Sequence, residues 1–179
     1  VSGAAGYHDA NHRGIPYGVV YVDLASALDE PWTVTFSHEA LELLGDPQAN
    51  LLVQGPRPRS VEGPRRRDTV YHWFEMCDAV QEERYTIDGV EVANFVLPLY
   101  FTRDEQEGGR NDFLGTRHNG KTLTSFGINP GGYVGFFDPR IPPHGRHTEA
   151  WSDDRGKARL LTKRRRRSGR GSLRSRRRP

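Results

Sequence analysis

Thr33-Val34-Thr35-Phe36-Ser37-His38-Glu39-Ala40-Leu41-Glu42-Leu43-Leu44-Gly45-Asp46-Pro47 is the stretch that decides how this chain is read. Its spacing predicts one buried helix with a stop at Gly45-Asp46-Pro47. Asp29 or Thr33 suits the N-cap, and Pro31 suits a first turn, where a missing N–H costs nothing. Gly45 suits the left-handed position just past a helix end, and Pro47 forbids continuation. At about 100° per residue, Leu43, Phe36, Ala40, Leu44, Leu41 and Val34 cover one broad apolar arc. His38, Glu42, Thr35 and Glu39 fill the narrow remainder.

That polar stripe carries no Lys or Arg. A solvated helix stripe usually mixes signs, because i,i+4 ion pairs support it. Glu39 and Glu42 sit three apart, a like-charge pair costing roughly 0.2–0.5 kcal/mol when left alone. A bound cation turns that cost into a gain. His38 and Glu42 sit four apart, so their side chains point the same way, one turn apart. This is the geometry of an H-E-x-x-H zinc helix with Glu in place of the second His. His38 and Glu42 are the candidate metal ligands, and Glu39 is the candidate general base. The plainer reading is an ordinary acidic helix stripe, since H-E-x-x-E alone is a weak pattern.

The chain has 179 residues, enough for one domain with a real core. Val1 is not an initiator, so residues are expected ahead of it. No apolar run approaches the ~18 residues of a membrane span. Cys77 is the single cysteine, which excludes an internal disulfide and a cysteine-built zinc cage. A metal here has to take His, Asp and Glu. The net charge of +3 hides a polarised chain: thirteen of the 26 basic residues lie from Arg155 onward, with no acid among them. The other 154 residues set thirteen basic against all 23 acidic residues, an acidic body with a polycationic tail.

Outward from the helix, residues 1–15 read as a polar loop, with His8, Asp9 and His12 ligands by type only. Pro16 to Asp23 reads as a strand by its β-branched and aromatic content, followed by a short Ala/Ser/Leu connection. Leu51-Leu52-Val53 starts a short strand, and residues 54–68 read as an exposed loop with five Arg. Thr69 to Val80 is strand-like. Asp88-Gly89 between alternating segments predicts a hairpin over Tyr85 to Val92. Asn94 to Phe101 reads as extended, limited by Pro98 to an edge or a break. Asn129-Pro130-Gly131-Gly132 predicts a turn into a strand at Tyr133 to Phe137. Residues 152–179 cannot pack a core and read as disordered. This polycation suits nucleic acid or an acidic surface, and Arg-rich out-of-frame sequence is an equal reading.

Glu75, Asp78, Glu82 and Glu83 cluster after the apolar Trp73-Phe74, a costly placement unless they reach solvent or a cation. Asp78 is one source of a third ligand, and Asp46, one turn beyond Glu42, is another. Together, Tyr7-His8-Asp9, Pro16-Tyr17, Ser37-His38-Glu39-x-x-Glu42 with Asp46-Pro47, Glu75-x-Cys77-Asp78 and Val92-x-Asn94-Phe95-Val96-x-Pro98 resemble a family of uncharacterised phage-associated and bacterial proteins. The likeness spans about residues 6–137. The helix alone is similar to the zincin metallopeptidases. That resemblance maps the first ligand onto His38, the catalytic Glu onto Glu39 and the second ligand onto Glu42. Gly45 matches the glycine of the longer metzincin motif, but Ala49 stands where its third His falls. Tyr17 to Asp23 serves as the substrate-binding edge that a zincin needs.

The expectation is an α+β, zincin-like domain over residues 1–140, mostly antiparallel sheet packed on one central helix, with a disordered Arg-rich tail over 141–179. The expected function is a zinc-dependent hydrolase acting on a peptide or protein through a metal-activated water. His38 and Glu42 bind Zn²⁺ with Asp46 or Asp78. The alternative is a non-catalytic virion or surface component with a structural ion, where Ca²⁺ suits the oxygen-rich set.

Overall fold

The deciding stretch is helical from Trp32 to Gly45 (α2), just after a shorter helix, α1 (Val22–Ala27), which occupies the Ala/Ser/Leu connection. The structure is a computed structural model describing residues 5–58, 69–103, 109–141 and 146–152. Residues 153–179 of the expected tail and the Arg-rich run 59–68 lie outside the described residues.

Three antiparallel sheets accompany the helices, so the α+β class holds. β1 (Gly6–Ala10) pairs with β2 (Pro16–Val20). β3 (Leu52–Pro56) and β4 (Thr69–Trp73) belong to a four-stranded sheet. β5 (Arg84–Ile87) and β6 (Val90–Ala93) form the hairpin at Asp88-Gly89, where both turn residues take positive φ, 49° and 84°. β7 (Tyr133–Asp138) and β8 (Arg146–Trp151) complete the larger sheet in the order β3-β4-β7-β8.

Several expectations change. Residues 6–10 are a strand, because β2 supplies a complete ladder from Gly6↔Val20 to Ala10↔Pro16. The strand after Thr69 stops at Trp73, and Asp78–Val80 is a 3₁₀ turn. Pro98–Phe101 is also a 3₁₀ turn, which suits a proline at its first position. The body does not end near residue 140: β8 lies beyond it, pairs with β7 along six residues and places Ala150 in the core. Gly45 closes the helix inside it and is not in the left-handed region. A Cβ there would meet Met76 Sδ at 2.6 Å and Phe74 Cε1 at 3.0 Å, so close packing is what keeps this position small. Neither Asp29 nor Thr33 caps α2, whose N-cap is Pro31 with no side-chain bond.

The largest change is the face that α2 buries. Its buried residues are Glu39 and Glu42, while Phe36 is 56% and Leu44 is 76% exposed. The apolar core lies elsewhere. Val70, Val134, Phe136 and Ala150 from β4, β7 and β8 close over Val80, Val96, Tyr100 and Leu123, with no residue of α2 among them. α2 instead packs on β1, β2 and β6. It turns its acidic stripe inward because histidines and a backbone N–H wait there, as the next section describes.

Candidate metal centre

β1 passes over α2 with Gly6 facing Glu39: a Cβ on Gly6 would stand 2.8 Å from both Glu39 Cγ and Thr35 Cγ2. Strand alternation then puts His8 on the same inward face as Gly6. The His8 side chain is only 6% exposed. Its Nδ1 stands 3.6 Å from Glu39 Oε2 and 3.5 Å from Glu42 Oε2. Its Nε2 stands 3.8 Å from Glu75 Oε2. Both His8 Nε2 and Glu75 Oε2 are buried without a hydrogen-bond partner.

His38 lies on the other side of Glu42. Its Nε2 is 3.2 Å from Glu42 Oε1 and 3.4 Å from Asp78 Oδ1. Asp78 begins the 3₁₀ turn after β4, and the Tyr133 hydroxyl at the start of β7 faces its carboxyl. The Cys77 N–H donates to Glu42 Oε1 at 3.1 Å, and the Cys77 thiol faces the His38 carbonyl at 3.7 Å. Two groups of potential ligands result, His8/Glu42/Glu75 and His38/Glu42/Asp78, each with its ligand atoms within 4.8 Å of one another.

The electrostatics are those of a crowded site. Burial pushes the Glu42 carboxyl up, but His38, His8 and the Cys77 N–H outweigh it and leave the group well below the usual carboxylate range. Hydrogen bonding to Glu39 and Glu42 lifts His8 to about 10. Burial works against a charge on His38, yet Glu42 and Asp78 hold it well above the ordinary imidazole value. Burial and the negative charges of Glu42 and Asp78 raise Glu75 to about 9. Burial, then Glu42, raises Asp78 to about 6. Without a metal, protons do the work of neutralising this cluster.

Of the sequence-derived site residues, His38, Glu42 and Asp78 come together, and Glu39 joins them beside His8. Asp46 stands apart. It is 5% exposed, and its Oδ2 accepts the Leu51 N–H at 2.6 Å, ordering the turn after α2. Asp9 accepts the Ala10 N–H, and His12 is exposed. Glu83, of the same acidic run as Asp78, serves a separate network, accepting from Asn94 and Asn129 and pairing with His118. The residue undervalued by sequence reasoning is His8. The signal for it was the period-two spacing of Gly6 and His8, masked by a segment without β-branched residues. Comparison of the chain with family models, curated proteins and solved structures finds no match.

Proposed function

We propose that this chain is a zinc-dependent hydrolase of zincin-like type, with peptide or protein as its substrate class. The observation that carries the reading is the convergence of His38, Glu42 and Asp78. Two ligands about 2.1 Å from a tetrahedral ion stand roughly 3.4 Å apart. His38 Nε2 stands 3.2 and 3.4 Å from its two carboxylate neighbours. One imidazole with two carboxylates suits Zn²⁺ better than Ca²⁺, whose ligands are oxygens. The buried donors fit the ion, since it satisfies charges that otherwise demand protons.

A bound Zn²⁺ supplies Lewis acidity toward a carbonyl and lowers the pKa of water. The chain's own residues do the rest. Glu42 and Asp78 would hold the ion as carboxylates, the Cys77 N–H orients Glu42, and the Tyr133 hydroxyl faces Asp78. Glu39, buried on the same inward face of α2, accepts the proton of the attacking water. β2 pairs only with β1 among the described strands, leaving an edge on which an extended peptide can add.

The test is metal content of the purified full chain, with hydrolysis of a casein-type substrate. We expect about one Zn²⁺ or more per chain, with the equivalent at His38/Glu42/Asp78 lost in His38→Ala and in Glu42→Ala. Glu39→Gln keeps the metal while activity falls on the order of 10²–10⁴-fold. Equal metal content in the parent and the three variants overturns the reading. Ca²⁺ in place of Zn²⁺, without hydrolysis, points instead to a structural component holding a structural ion.

A further inference from the structure

The two oxygens of Glu42 face different histidines. Oε1 is 3.2 Å from His38 Nε2, and Oε2 is 3.5 Å from His8 Nδ1. Each histidine has its own second carboxylate, Asp78 for His38 and Glu75 for His8. The arrangement is close to a repeat of one pattern, imidazole plus private carboxylate, on either side of a shared carboxylate. A carboxylate divided in this way is a bridging ligand of two-metal sites, whose ions lie about 3.5–4 Å apart.

An independent observation marks the His8 side as built for a ligand. The His8 side chain is 6% exposed, and its Nε2 has no hydrogen-bond partner. Glu75 Oε2, 3.8 Å away, is likewise buried and unpartnered. Buried polar atoms are rarely left unpaired, so two facing each other call for a shared cation. The other ring nitrogen already faces Glu39 at 3.6 Å. The same nitrogen stands 3.5 Å from Glu42 Oε2, so the imidazole spans from the shared carboxylate to Glu75.

We propose that His8, Glu42 and Glu75 hold a second divalent cation, so that Glu42 bridges a two-cation centre. This rests on the His38/Glu42/Asp78 reading for its first ion and adds the second. Two cations held there would supply Lewis acidity to a substrate oxygen and to the attacking water together, which a single ion cannot.

The experiment is titration of the chelator-treated full chain with Zn²⁺, and separately with Mn²⁺, counting bound ions and recording the Mn²⁺ paramagnetic resonance. The parent is expected to bind two equivalents, with the spectrum of a coupled Mn²⁺ pair. His8→Ala and the milder Glu75→Gln are expected to bind one equivalent and lose the coupling. His38→Ala is expected to retain one, and Glu42→Ala none. Glu75→Gln guards against misfolding, because the Glu75 side chain is 27% exposed and keeps its shape. A parent that binds one equivalent, unchanged in His8→Ala and Glu75→Gln but lost in His38→Ala, overturns the second site and leaves the hydrolase reading standing. A parent that binds neither ion overturns both.

Discussion

Glu42 stays ionised in a place where a lone carboxylate would take up a proton, and its neighbours hold the protons instead. His8 titrates at about 10 and Glu75 at about 9, against ordinary values of 6.5 and 4.5. Both folded values lie above the unfolded ones, so between those values the folded chain holds more protons than the unfolded chain. The His8 contribution to stability is fully present below pH 6.5 and is lost as pH rises through 10. Glu75 loses stability in the same direction from 4.5 to 9. Glu42 is shifted the other way, but its effect is already complete above the ordinary carboxylate range. The chelator-treated protein is therefore expected to melt at progressively lower temperature from pH 6.5 to 9. Zn²⁺ must displace the same protons, so its affinity is expected to rise over that window. Calorimetric titration in buffers of different ionisation enthalpy measures the protons released. A flat or rising melting profile without metal, or binding without proton release, contradicts this account. The sequence showed His38, Glu39 and Glu42 through helical spacing alone. It left the candidate third ligand open between Asp46 and Asp78, because one turn of helix and a distant turn after a strand are equivalent until the fold is known.

At the scale of elements, the legible parts were those whose local chemistry leaves one solution. Asp88-Gly89 carries the positive φ angles of a primed turn, and β5 and β6 form around it. α2 was equally legible as a helix, but its facing was not. A hydrophobic arc points inward only when the core is on that side, and here the core is built from β4, β7 and β8 with Val80, Val96, Tyr100 and Leu123. This has a measurable consequence. Phe36→Ser and Leu44→Ser, at 56% and 76% exposure, are expected to change stability by no more than about 0.5 kcal/mol each. Gly132, at the start of β7, is expected to behave in the opposite way. A Cβ there would stand 2.3 Å from the carbonyl oxygen of Ala79, in the same 3₁₀ turn that carries Asp78. Gly132→Ala must push that turn away from β7, at a cost of about 1–3 kcal/mol, and it should weaken metal binding along with stability. Chemical denaturation of the three variants checks the ranking. A Leu44→Ser loss larger than that of Gly132→Ala would restore the buried-arc reading of the helix.

For the molecule as a whole, the sequence separated an acidic body from a basic tail by charge, yet set the boundary too early. Periodicity fades after Phe137 because β8, with the sequence Arg-His-Thr-Glu-Ala-Trp, has little apolar content of its own. It is a strand because β7 gives it a complete ladder, from Tyr133↔Trp151 to Asp138↔Arg146. The Tyr133 and Trp151 rings stack at 4.6 Å, and the Ser152 N–H donates to the Gly132 carbonyl at 3.1 Å. Tyr133 is also the residue whose hydroxyl faces Asp78, so β8 braces one wall of the candidate centre from a distance. A chain ending at residue 152 keeps all of this, whereas one ending at 140 removes β8 and uncovers β7. Losing Ala150 and the Trp151 stack should cost about 3 kcal/mol or more. For a domain of this size that corresponds to roughly 6–12 °C in melting temperature. The chain ending at 152 is expected to melt with the full chain and to bind the same number of ions. The chain ending at 140 should melt lower by that margin and hold metal at His38/Glu42/Asp78 more weakly, since Tyr133 loses its stacking partner. Equal melting temperatures for the two truncations would mean that β8 contributes nothing to the body, and that the boundary belongs near residue 140 after all.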